Sequence, residues 1–182
     1  MSQDAATYKG VLYIVVCAAD PAKRIHEFIE LAQAASWDVC VVATPQATSF
    51  IDRPLLERLT GRSVRSEYKQ PDTSDIWPAF DAIVAVPATF NTINKFAFGI
   101  ADTLAVSILC EGLGRGRTIV SVPCVNQNHL ARHPIFTKGI TMLRKSGVKV
   151  LYKPEMYPPR NEVPWSVILE ELQRAWREKE AN

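Results

Sequence analysis

Asp81–Glu111, DAIVAVPATFNTINKFAFGIADTLAVSILCE, decides the fold of this chain. It opens with an apolar run, Ala82–Val86, of β-branched and small residues, and Pro87 stops the run. Small and polar residues follow at Ala88, Thr89, Asn91 and Thr92. Then Ile93, Phe96, Ala97, Ile100, Leu104 and Ile108 recur at helical spacing. The pattern predicts a buried strand, a tight loop and one long helix, with Thr89 or Asn91 as N-cap. In an open parallel sheet, ligands lie just past the carboxyl ends of the strands. The Thr/Asn cluster stands at such an end, beside a helix N-terminus that favours anions. From spacing alone, capping and ligand binding both stay open.

Similar units flank this one. Gly10–Cys17, GVLYIVVC, and Asp38–Thr44, DVCVVAT, read as buried parallel strands, and so do Thr118–Pro123 and Val148–Tyr152. Ser63–Tyr68 reads as a more polar edge strand. Asp20 suits an N-cap and Pro21 the first position of a helix that carries Ile25, Phe28, Ile29 and Ala32. Arg53–Thr60 is a short helix closed by Gly61, and Pro134–Ser146 is another, ended at Gly147. Met1–Lys9 reads as a loose arm, and Lys153–Pro164 as an extended, proline-rich tail. In the last helix, from Pro164 to Lys179, a stripe of Trp165, Ile168, Leu172 and Trp176 faces the sheet or a neighbouring subunit. Strands alternate with helices throughout. The expected fold is therefore α/β, a Rossmann-like three-layer sandwich on a parallel sheet of about six strands, as a single domain over residues 1–182.

Composition excludes several function classes. Of 182 residues, 47% are hydrophobic and 22% charged, and the net charge of +2 is too weak to argue for nucleic acid or an anionic membrane. The apolar runs are too short to span a bilayer, and MSQDAATYKG has no signal pattern, so the expected location is cytoplasmic. Cys17, Cys40, Cys110 and Cys124 form no CxxC pair and stand in no zinc spacing with His26, His129 and His133. No metal site is expected, and reduced, mostly buried thiols are. The first βα turn lacks the glycines of a dinucleotide fingerprint, which argues against a conventional NAD site.

The wording of Pro87–Lys95, PATFNTINK, followed by Gly99–Leu104, GIADTL, is more specific than its pattern. It resembles the flavin-binding signature PATANTIAK…GIADNL of the homo-oligomeric flavin-containing cysteine decarboxylases. That family includes phosphopantothenoylcysteine and peptidyl-cysteine decarboxylases and, more distantly, flavin prenyltransferases. The resemblance implies bound FMN, a small-molecule substrate and a homotrimer with the flavin between subunits. It implies that Pro87, Ala88, Thr89, Phe90, Asn91 and Thr92 line the flavin. Cys17, Ala18 and Thr44 would lie on its phosphate side and Cys124 near its ring. Pro123-Cys124-Val125-Asn126 stands where the family has P-A-M-N, whose asparagine anchors a substrate carboxylate. The segment Phe96–Leu104 would suit a subunit contact.

The chain also departs from the family. Cys17-Ala18 replaces Gly-Ser, and Thr73 stands where the decarboxylases carry their catalytic histidine. A threonine cannot exchange protons near neutral pH as an imidazole does. His129 is the candidate substitute acid or base. No cysteine follows Cys124, so the family's proton-donating clamp has no counterpart. Two readings of function result. One is a flavin-dependent oxidation and decarboxylation of a carboxylate-bearing thiol, with Asn126 and His129 at the chemistry. The other is a non-catalytic flavin carrier or regulatory protein.

Overall fold

The computed structural model describes residues 8–68, 77–152 and 163–181. Its strands are β1 (Gly10–Val16), β2 (Trp37–Ala43), β3 (Ala82–Ala88), β4 (Thr118–Pro123) and β5 (Lys149–Val150). Its helices are α1 (Ile25–Ala34), α2 (Arg53–Thr60), α3 (Phe90–Phe98), α4 (Leu104–Gly114), α5 (Pro134–Lys145) and α6 (Trp165–Glu180). All strand pairs are parallel, in the spatial order β2-β1-β3-β4-β5. The order turns back between β1 and β3, where Leu12 faces Ala82 and Val15 faces Ala85. A crevice opens past the carboxyl ends of strands at such a switch point.

The strands read as continuous apolar runs because both faces of the sheet are covered. Leu12, Ile14 and Val16 of β1 join Val84 and Val86 of β3 on one face, packed on Phe28, Ile29, Ile168 and Leu172. Tyr13, Val15 and Cys17 join Ile83 and Ala85 on the other, packed on Ile93, Phe96, Leu109 and Ile140. Alternate side chains thus feed two cores, one under α1 and α6, the other under α3, α4 and α5. The α6 stripe therefore meets the sheet.

Several expectations are corrected. The single helix expected after β3 is two. Gly99 adopts a left-handed conformation (φ 69°) as C-cap of α3, and the Ile100 N–H turns back to the Lys95 carbonyl at 2.8 Å. Thr103 then caps α4, its hydroxyl accepting from the Val106 N–H at 3.4 Å. Among the described residues the sheet has five strands. Ser63–Tyr68 contributes only an isolated bridge of Arg65 to Val42, held by backbone bonds of Arg65 to Val41 and Ala43. Asp20 lies inside a short 3-10 turn, Asp20–Arg24, whose N-cap is Ala19, and α1 starts after it. Thr89 is the N-cap of α3, but through its backbone alone. The arm before Tyr8, Thr73 and most of the proline-rich tail lie outside the described residues. Lys9 is tied down: its N–H meets the Ser36 carbonyl at 2.9 Å, and its ammonium lies 5.0 Å from the Trp37 ring centre.

Candidate functional site

Loops from four strand ends enclose a cavity of about 500 Å3 at the carboxyl edge of the sheet. The β1 loop brings Ala18 and Ala19, and the β2 loop brings Thr44, Pro45 and Gln46. The start of α3 brings Thr89, Phe90, Asn91, Thr92 and Lys95. The β4 loop brings Cys124, Val125, Asn126 and Leu130, and the start of α4 adds Thr103 and Val106.

Three helical turns around this cavity begin without side-chain caps, whereas α4 is capped by the Thr103 hydroxyl. Ala19 precedes the 3-10 turn Asp20–Arg24, Thr44 precedes Pro45–Ser49 and Thr89 precedes α3, and no side chain accepts from the first-turn N–H groups. Elsewhere, α2 and α5 are capped by the Asp52 carboxylate and the His133 ring. Uncapped first-turn N–H groups suit an anion, which completes the caps and meets the positive end of the helix dipole. The small side chains of Ala18 and Ala19 let a ligand approach the backbone.

Beneath α3 the polar side chains bond to one another. The Cys17 thiol donates to Thr92 Oγ1 at 3.2 Å, and Thr89 Oγ1 lies 3.2 Å from the same oxygen. Burial pushes the Cys17 thiol pKa up, against those hydrogen bonds. Cys124 is pushed up to about 11, mainly by burial and further by Asp20 and Cys17. Neither environment favours a thiolate. Lys95 reaches Asp102 at 2.6 Å, at the turn between α3 and α4.

Each anticipated residue has a definite place. Ala18, Thr44, Thr89, Phe90, Asn91, Thr92, Cys124 and Asn126 line the cavity. Cys17 and Ala88 are fully buried, and with Pro87 they lie behind the wall as its support. Asn126 lines the wall and also closes a turn, its Oδ1 accepting from the Asn128 N–H at 2.9 Å. His129 is exposed and is not on the wall, although Leu130 beside it is. His133 packs edge-on to Phe90 at 5.8 Å, and its Nδ1 accepts from the Ile135 N–H. Among the described residues, no imidazole lines the cavity. Sequence reasoning missed Gln46, Thr103, Val106 and Leu130. For Thr103 a signal existed, a hydroxyl residue directly before the apolar run of α4.

Residues 4–170 match the sequence pattern of the Flavoprotein family. The chain belongs to that family. Among curated relatives, this flavoprotein is 29% identical to epidermin decarboxylase of Staphylococcus epidermidis over 148 residues, covering 79% of the chain and 78% of the relative. It is 29% identical to the coenzyme A biosynthesis bifunctional protein CoaBC of Bacillus subtilis, covering 70% of the chain but 32% of that longer protein. Among solved structures, the FMN-dependent cysteine decarboxylase TvaF from thioviridamide biosynthesis superposes with a TM-score of 0.71. At 20% identity, covering 93% of this flavoprotein and 99% of TvaF, that likeness speaks for the fold. Among the described residues, no helix is long and apolar enough to cross a membrane.

Proposed function

We propose that this flavoprotein binds FMN in the cavity past the carboxyl ends of β1–β4 and acts on a small carboxylate-bearing thiol. The observation that supports this most is the convergence of uncapped turns at Ala19, Thr44 and Thr89 on a cavity of about 500 Å3. The residues present fit a flavin nucleotide: backbone N–H groups for a phosphate, Thr44 and Thr89 hydroxyls for a polyol, and Phe90, Val106 and Leu130 for an apolar ring. Cys17, Pro87 and Ala88 support that wall from behind. FMN, when held by these residues, would supply a hydride acceptor for oxidation at the carbon bearing sulfur, the chemistry that would make the neighbouring carboxylate ready to leave as carbon dioxide.

The chain's own part is binding and orientation. With Oδ1 engaged by Asn128, the Asn126 Nδ2 group is left to donate to a substrate carboxylate without adding charge. Lys95 stands at the wall with its charge already paired to Asp102. Exposed apolar side chains at Phe98 (44%) and Ile100 (52%), on the turn that leads to Thr103, support a homotrimer whose partner covers that turn.

One observation favours a second reading, a non-catalytic flavin carrier. The cavity wall holds no imidazole among the described residues, and Thr73 stands at the family's histidine position. The absorption spectrum of the purified protein and the mass of its released chromophore test the binding reading first. A yellow protein bleached anaerobically by a cysteine-ended substrate supports the enzyme. A yellow protein that no such substrate bleaches supports the carrier. A colourless protein that FMN does not reconstitute removes both.

A further inference from the structure

Helix α5 rests on α3 through a contact that is only partly matched. Phe90 and Asn94 lie one turn apart on α3, and both meet α5. The Phe90 ring, on the cavity wall, stacks on Phe136 at 5.9 Å and meets His133 edge-on at 5.8 Å. Asn94 lies against Gly139, where an added Cβ would stand 3.0 Å from its Oδ1. Both positions are alanine in the signature PATANTIAK, so this chain builds the contact from larger side chains.

The Asn94 amide is buried and unmatched. Neither its Oδ1 nor its Nδ2 has a hydrogen-bond partner among the described residues. Ser121 of β4 is fully buried, and its hydroxyl has none either. By the alternation that sends Ile119 to the core under α3, α4 and α5, Ser121 points to the same side of the sheet. Protein interiors match nearly all such groups, so an amide left bare at both ends penalises the position that α5 occupies.

The start of α5 is also tied to the cavity. Asn126 and Leu130 line the cavity, and a few residues later the His133 ring caps α5, accepting the Ile135 N–H at 3.2 Å. A change in the position of Phe90 or of this loop therefore bears directly on α5.

We infer that α5 has a second position against α3, in which the Asn94 amide is hydrogen-bonded, and that a ligand in the cavity selects it through Phe90. The inference rests on the flavin reading and makes α5 the element that responds to filling of the cavity. A ligand shifts such a balance only by touching the two states differently. Phe90 is placed to make that difference, because it faces the cavity and α5 at once. Pairing of the bare amide then favours the filled state and not the empty one.

Nitrogen-15 spectra of the flavin-free protein, recorded as FMN is added, test this. The Asn94 side-chain signal is assigned by its loss in Asn94→Leu. In wild type it shifts as FMN binds, and hydrogen exchange slows along α5. Asn94→Leu keeps the volume and removes both polar ends. It raises the unfolding midpoint of the flavin-free protein by about 2–4 °C and weakens FMN binding about tenfold, the loss of one hydrogen bond. General damage to the fold would lower both. A flavin-free variant that unfolds at a lower temperature shows the amide already bonded in the empty protein and overturns the inference. Exchange along α5 that bound FMN leaves unchanged overturns it too, while the flavin reading stands. That measurement needs wild type alone, so it reports even if Asn94→Leu folds poorly. A protein that takes up no FMN overturns the flavin reading itself, and this inference with it.

Discussion

The thiol of Cys17 donates a hydrogen bond to the hydroxyl of Thr92 at 3.2 Å, joining the end of β1 to the first turn of α3 beneath the cavity at the carboxyl edge of the sheet. Cys17 is fully buried, so this bond has no water to replace it. Thr92→Val keeps the shape and removes the acceptor. It is expected to lower stability by about 1 kcal/mol, read from the urea midpoint. Cys17→Ala in the Thr92→Val background then costs less than in wild type. Strict additivity in that cycle would show that the two groups do not act on each other.

Alkaline pH should loosen the fold. Burial holds the Cys124 thiol at about 11, against its ordinary 9.0. Between those values the unfolded chain has lost the proton and the folded one has kept it. Stability from this group is thus complete below the lower value, falls as pH rises and is gone above the higher one. Tyr13, raised by burial to about 12 and donating to the Pro78 carbonyl, extends the decline. Because Cys124 is only partly buried, about 1–2 kcal/mol is expected from it. Urea midpoints measured across this range should flatten at the lower end in Cys124→Ala.

The cavity proposed to hold the flavin can be closed from the β1 loop. Ala18→Leu adds carbon atoms to a wall that a ligand must approach closely. Flavin retained on purification should fall about tenfold or more, and far-ultraviolet circular dichroism should not change. Retained colour in this variant would show that the ligand leaves Ala18 untouched.

Packing between α4 and the sheet is tightest at Gly112. A Cβ there would lie 2.4 Å from Ile83 Cδ1. Gly112→Ala should cost about 1–3 kcal/mol by overpacking. Adding Ile83→Val removes the opposing methyl, and the double variant should be more stable than Gly112→Ala alone. Thermal unfolding of the set decides it.

The sheet was legible because strands covered on both faces are apolar at every position, as in Leu12–Cys17 and Ala82–Val86. The break at Gly99 was not. Apolar residues continue across it at helical spacing, yet Ile100 is 52% exposed and belongs to the turn. Thr44 and Thr89 were readable as cavity residues because they follow strands directly, and Asn126, three residues past β4, through its resemblance to the P-A-M-N motif. Cys17 and Ala18 are neighbours past the end of β1, but Cys17 is buried against Thr92 and Ala18 lines the cavity, a difference their sequence positions do not reveal. Val106 and Leu130 arrive from a helix and a loop whose positions depend on tertiary packing.

The parallel arrangement also fixes when the cavity past the strand ends comes into being. β1 and β3 meet at Leu12–Ala82 only after β2 and α2 have been looped out between them, and the last wall needs β4 in register beside β3. Pairings this distant along the chain form late. A half-made molecule therefore offers no niche to template. A flavin bound there, as proposed above, would act as a lock on the finished protein, one that slows its coming apart more than it hastens its making.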